Sequence, residues 1–357
     1  MRSALPITLV LGLLSLPTLA QVPFSSDEKA AVIENIQLLI ASDYVFPDQV
    51  DRVNAALDAR LVEGRYDDVS TRDAFAEALT EDLVAITTDK HYKVGYRPEL
   101  VASRRAAEEG RASPEDVAEA DQADTIDWNL WYARQENFGF KRIEVLEGNV
   151  GYIQLTFFHP FDWMRSTIDA AMTFVADTDA LIIDLRANGG GYSPSDTYLG
   201  SYFLDPDPVL WSTSYTRPTD ERESVYTFGE VGAPRYRNRP VILLVSAETF
   251  SLGEKFAYTM KHFDQAEIIG QVTAGAANGI SFRLVDDNFV IQIPAQQSVN
   301  PVTETNWEGI GVQPDIETAP EEALARAHLL ALDQLIATAK YDRAKARYQE
   351  IKATIGH

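Results

Sequence analysis

The stretch AETFSLGE, Ala247 to Glu254, places one serine, Ser251, between an apolar run and a helical pattern. Two chemistries fit it. Ser251-Leu252-Gly253-Glu254 has the S-x-x-E form of a capping box, which satisfies free N–H groups at a helix start and contributes about 1 kcal/mol. A serine at a strand-to-helix junction can also expose its hydroxyl as a nucleophile at the carboxyl end of a sheet. There the Leu252 N–H faces the site, and the helix N-terminus favours developing negative charge. A nucleophile further requires a base and oxyanion donors.

IIDLRANGGG sets Asn188-Gly189-Gly190-Gly191 directly after a second apolar run. A tight turn accounts for it. A phosphate cradle does not, since neither G-x-G-x-x-G nor G-K-[ST] is present. Glycines after a strand let backbone N–H groups approach a ligand with no Cβ in the way. Gly189 or Gly190, paired with Leu252, could therefore hold an oxyanion. Five histidines compete for the role of base. His357 is terminal, His328 lies in the last helical region, His262 ends the helix after Ser251, and His159 bounds a strand in FFHP. His91, in TTDKHYKVGY between a helix and an expected strand, is the candidate. Asp184 and Arg186 read as a local ion pair bracing the glycine turn, and Glu254 as a cap residue. The histidines are scattered and H-E-x-x-H is absent, so neither a metal nor another cofactor is expected.

Three groups of elements must position these side chains. Residues 26–85 read as helices. Ser26 is the expected cap of the first, with Ala31, Ile33, Ile36, Leu39 and Ile40 at helical spacing; 50–61 and 71–85 repeat the pattern. Residues 98–127 are charged, Ala-rich and poor in large apolar side chains, as in a polar linker or lid. From Trp128 the pattern is α/β: a hairpin around Glu147-Gly148-Asn149, buried strands at 180–186 and 240–245, a third at 266–270, a hairpin around Asp286-Asp287-Asn288, and a C-terminal helical region over 321–351. The expected organisation is thus a signal peptide (1–20), an N-terminal helical subdomain (21–97), the polar segment (98–127) and an α/β domain with a C-terminal helix (128–357).

The 357 residues carry a formal charge of −23, which argues against nucleic acid and anionic membrane surfaces as partners. Arg2, the apolar run Ile7–Leu16 and the small residues at Thr18-Leu19-Ala20 form a secretory signal. Cleavage after Ala20 leads to a periplasmic or secreted protein. No later segment is long and apolar enough for a stable membrane span. With no cysteine, disulfides and thiol nucleophiles are excluded. The sequence leaves the oligomeric state open.

Taken in order, NFGFKRIEVLEGNVGYIQLTFF, LIIDLRANGGG, ILLVSAETFSLGE, IIGQVTAGAANG and NWEGIGVQPDI resemble the C-terminal processing protease superfamily over about Ser26–Glu317, and within it the branch of interphotoreceptor retinoid-binding protein repeats and tricorn-type serine peptidases. Asp89-Lys90-His91 resembles the family's D-x-H element. The resemblance implies a crotonase/Clp-like spiral β/α catalytic domain behind a helical subdomain, with Ser251 as nucleophile. Processing proteases use a lysine base at the place that Ala276 occupies here, so the resemblance excludes a Ser-Lys dyad. The tricorn-like arrangement implies His91 as base and Glu308 as its orienting acid, acting on a peptide or unfolded-protein substrate. The segment 98–127 is too short and polar for the PDZ module that processing proteases usually carry. The retinoid-binding relatives imply an alternative: a catalytically idle protein using the same cleft for a hydrophobic or peptide ligand.

Overall fold

The computed structural model describes residues 24–111 and 126–355; the expected signal peptide and residues 112–125 of the polar segment lie outside them. Helix α1 (Ser26–Asp43) is capped by Ser25 rather than Ser26. The reason is reciprocity. A capping box needs an acceptor three residues on, and only from Ser25 does that position fall on Glu28, whose Oε2 accepts the Ser25 N–H at 2.9 Å. Helices α2 (Val50–Val62) and α3 (Arg72–Thr87) follow. Ile33, Ile36 and Ile40 of α1, Val53 and Leu57 of α2, and Phe75, Leu79 and Leu83 of α3 share one buried core. Strand β1 (Lys93–Tyr96) follows, and then helix α4 (Pro98–Glu108). The start of the polar segment is thus a helix anchored by buried Leu100 and Val101.

After α5 (Ile126–Gln135) the chain builds a six-stranded sheet. Its members are β2 (Phe140–Leu146), β3 (Val150–Leu155), β4 (Ala180–Asp184), β7 (Val241–Val245), β8 (Glu267–Gly270) and β11 (Ile316–Glu317). They lie in the order β11-β8-β7-β4-β3-β2, parallel except for the β2–β3 hairpin. Every residue of β4 and β7 is buried, as in a parallel sheet covered on both faces. The period of two divides β4 cleanly. Leu181 and Ile183 pack with α6 (Phe161–Phe174), α7 (Ser195–Ser201) and α8 (Leu252–His262), whereas Ala180 and Ile182 pack with α9 (Ala323–Thr338). The C-terminal helical region is two helices, α9 and α10 (Asp342–Ile355).

A second sheet joins the two halves. Strand β10 (Phe289–Val299) pairs along its length with β9 (Gly279–Leu284), at its start with β1, and at its end with β5 (Leu210–Thr216), which continues to β6 (Glu221–Tyr226). The β5–β6 hairpin was not read from the sequence. Phe289, Ile291 and Ile293 of β10 complete the core of the N-terminal helices. One strand therefore carries the α3–β1 region into register with the α/β half. Among the described residues, no helix is long and apolar enough to cross a membrane.

Candidate active site

Ser251 stands where β7 gives way to α8. Its backbone angles, φ 51° and ψ −115°, are those of the first central residue of a type II′ turn, a conformation that suits glycine. Neighbouring bonds hold it there. Thr249 Oγ1 donates to the Leu185 carbonyl at 2.8 Å, Ser246 Oγ to the Arg186 carbonyl at 2.6 Å, and the Phe250 N–H to the Asn188 carbonyl at 2.9 Å. The elbow after β7 is thereby fastened to the glycine turn after β4. Asp184 and Arg186 form the expected ion pair beneath that turn, at 2.6 Å.

His91 arrives from the N-terminal half. Thr88 ends α3 in the left-handed region at φ 65°, which turns the chain toward the sheet. Asp89 is buried, and its Oδ1 accepts the His91 backbone N–H at 2.9 Å. The ring of His91 lies 4.9 Å from that of Phe250, and its Nε2 is 3.1 Å from Ser251 Oγ. A serine and a histidine 160 positions apart are thus in hydrogen-bond contact. On the far side of the ring, Nδ1 is 3.4 Å from Asp89 Oδ1 but makes no hydrogen bond. Asn278 Nδ2 holds the other Asp89 oxygen at 2.8 Å.

Glu308 comes to the same place. Its Oε2 accepts the Ala277 N–H at 2.6 Å, and its Oε1 is buried with no partner. Burial, and then the charge of Asp89, push its carboxyl up to about 8. At neutral pH the Glu308 carboxyl is therefore largely neutral. Glu254 does more than cap. Besides the Ser251 N–H at 2.9 Å, it accepts Thr273 Oγ1 at 2.5 Å, Gly275 N–H at 2.6 Å and Ala276 N–H at 3.0 Å. The turn carrying Ala276 is thus gripped by Glu254 and Glu308 through its amides.

The oxyanion donors expected at Gly189 and Gly190 are engaged in other bonds. Gly189 N–H donates to the Thr156 carbonyl at 3.0 Å and Gly190 N–H to Asn188 Oδ1 at 2.9 Å. A Cβ on Gly190 would lie 2.9 Å from Ser251 Cβ, so this glycine serves close approach. Gly191, at φ 136°, and Leu252 donate their N–H groups to no acceptor among the described residues. Both line a cavity of about 360 Å³ that opens beside Ser251. Asn278, Trp307, Gln296, Ser212 and Ser214 form other parts of its wall. Lys255, also in the wall, is paired with buried Asp196 at 3.2 Å.

Asp89, Asn278 and Gly191 join the site only in the folded protein. Asp89 was visible in Asp89-Lys90-His91, and Gly191 in the glycine run; nothing local marked Asn278.

Comparison with known proteins bears on this geometry. Residues 149–318 match peptidase family S41. Residues 21–126 match the N-terminal domain of that peptidase family in eukaryotic interphotoreceptor retinoid-binding protein. Both matches are to parts of S41 peptidases, over residues 21–126 and 149–318. Two solved structures share the fold of this chain across most of its length. One, a candidate peptidase from Parabacteroides merdae, is 18% identical with a TM-score of 0.56, covering 88% of this chain and 98% of that one. The other, a lipoprotein from Streptococcus agalactiae, is 12% identical with a TM-score of 0.53, covering 89% and 99%.

Proposed function

We propose that this protein is an exported serine peptidase in which Ser251 is the nucleophile and His91 its base. The observation that carries the reading is the 3.1 Å contact between His91 Nε2 and Ser251 Oγ, within the range for proton transfer. Ser251 Oγ attacks the peptide carbonyl as its proton passes to Nε2. The oxyanion takes the N–H groups of Leu252 and Gly191. His91 then returns the proton to the leaving amine, and water repeats the sequence on the acyl-enzyme. Asp89 is the charged partner of the imidazolium, being the carboxylate nearest Nδ1. Glu308 sits behind it in neutral form and anchors Ala277. The cavity beside Ser251 sets Ser212, Ser214, Asn278 and Gln296 among apolar Leu252 and Trp307, a mixed lining that suits a peptide. Export rests on Arg2, the apolar run Ile7–Leu16 and the small residues up to Ala20; exported protein is expected to begin at Gln21 on N-terminal sequencing.

A serine-directed phosphonate probe tests the reading. Wild type is expected to label, Ser251→Ala not at all, and His91→Ala at least about 10³-fold more slowly. Folded wild type that stays unlabelled while binding peptides or a hydrophobic dye would replace the peptidase with an idle binding protein.

A further inference from the structure

Asp89, His91 and Glu308 each offer one ligand atom, and these three atoms lie within 4.8 Å of one another. His91 has a side chain only 10% exposed, and its Nδ1 has no hydrogen-bond partner. Glu308 Oε1 is likewise buried and unpartnered. Buried polar atoms are nearly always satisfied, and these two, without hydrogen bonds, face the same acid–imidazole cluster. The 3.4 Å separation of His91 Nδ1 and Asp89 Oδ1 is long for an N–H···O bond. It equals the edge of a tetrahedron whose centre-to-ligand bonds are about 2.0–2.1 Å, the lengths zinc makes with imidazole nitrogen and carboxylate oxygen.

We propose that Asp89, His91 Nδ1 and Glu308 form an inhibitory Zn²⁺ site on the side of the imidazole away from Ser251. The donor set, one nitrogen and two carboxylates, suits zinc. Calcium needs six to eight oxygens, which three buried side chains do not supply. Asp89 keeps its bonds from the His91 N–H and Asn278 Nδ2, and Glu308 keeps Ala277 N–H on Oε2. Zinc takes the Nδ1 lone pair, so the single ring proton moves to Nε2, and the Glu308 carboxyl gives its proton to solvent; Nε2–H then faces Ser251 Oγ and cannot accept its proton. That the ion silences catalysis rests on the roles of Ser251 and His91 proposed above; that it binds does not.

Zinc titration by calorimetry on the full chain tests the binding. Wild type and Ser251→Ala are expected to bind one ion each. Asp89→Asn and Glu308→Gln are expected to lose more than about 100-fold in affinity, since losing a ligand exceeds the roughly 10–100-fold typical of an outer partner. Anomalous diffraction at the zinc edge from wild-type crystals should place the ion among the three side chains, a result that needs no variant to fold. In parallel, zinc should slow phosphonate labelling of wild type, and a chelator should restore it. Absence of saturable binding, binding undiminished in both variants, or an anomalous peak elsewhere overturns the site. Binding at these residues with labelling unaffected overturns the inhibitory role. Wild type that binds zinc here yet never labels keeps the site and removes the peptidase.

Discussion

The backbone of Ser251 gives the sharpest test of how the elbow works. At φ 51° and ψ −115° a residue with a Cβ is held in a sparsely populated region, which costs about 1–3 kcal/mol. Glycine has no such penalty there, but it raises the entropy of the unfolded chain by an amount equivalent to about 0.4–1 kcal/mol. Ser251→Ala and Ser251→Gly both remove the hydroxyl and its contact with His91 Nε2, a loss of about 0.5–1.5 kcal/mol common to the two. Their difference therefore isolates the strain. Ser251→Gly is expected to be about 1–2 kcal/mol more stable than Ser251→Ala, and close to wild type. Urea unfolding followed by the fluorescence of buried Trp211 and Trp307 measures this, and neither variant should label with the phosphonate. An alanine variant as stable as the glycine variant, or more so, would refute the argument that surrounding bonds hold Ser251 against its own preference.

Three further outcomes follow from the site. Asp89→Asn should slow labelling of Ser251 by about 10²–10⁴-fold, since it removes the charge facing the imidazolium. Glu308→Gln at neutral pH should slow it less than tenfold, because that carboxyl is already neutral; the reverse order would make Glu308 the orienting acid. Stability should show the same asymmetry. The folded-state pKa of Glu308 is raised from 4.5 to about 8, so its contribution is complete below pH 4.5 and is lost as pH rises through 8. Thermal unfolding from pH 5 to 9 should accordingly show wild type losing a few kcal/mol relative to Glu308→Gln, and parallel curves would contradict the buried, neutral carboxyl. Gly190→Ala would bring a Cβ to 2.9 Å from that of Ser251. The displaced hydroxyl should reduce labelling by about 10²-fold with the fold retained by circular dichroism.

What the sequence determined was local. The apolar periodicity of 26–85 marks three helices, and the continuous apolar runs at 180–184 and 241–245 mark strands buried on both faces. S-x-x-E marks the start of α8, so the position of Ser251 at a strand-to-helix junction was legible. Five motifs in family order then indicated His91 and Glu308, which neither periodicity nor spacing could pair with a serine 160 or 57 positions away. Only the tertiary structure decided what those side chains meet. Strand β10 joins the N-terminal helical core to the sheet holding β5 and so brings the α3–β1 turn over the elbow. The placement of His91 depends on that register and not on the residues flanking it. The fold likewise consumed the amides of Gly189 and Gly190 on Thr156 and Asn188 and left those of Gly191 and Leu252 without an acceptor among the described residues. It also buried Glu308 beside Asp89, which pushes the Glu308 carboxyl up to about 8. Composition sets which groups a chain has to offer. Which of them are desolvated, paired or left unpaired depends on contacts between segments far apart in the chain, and those contacts exist only once it is folded.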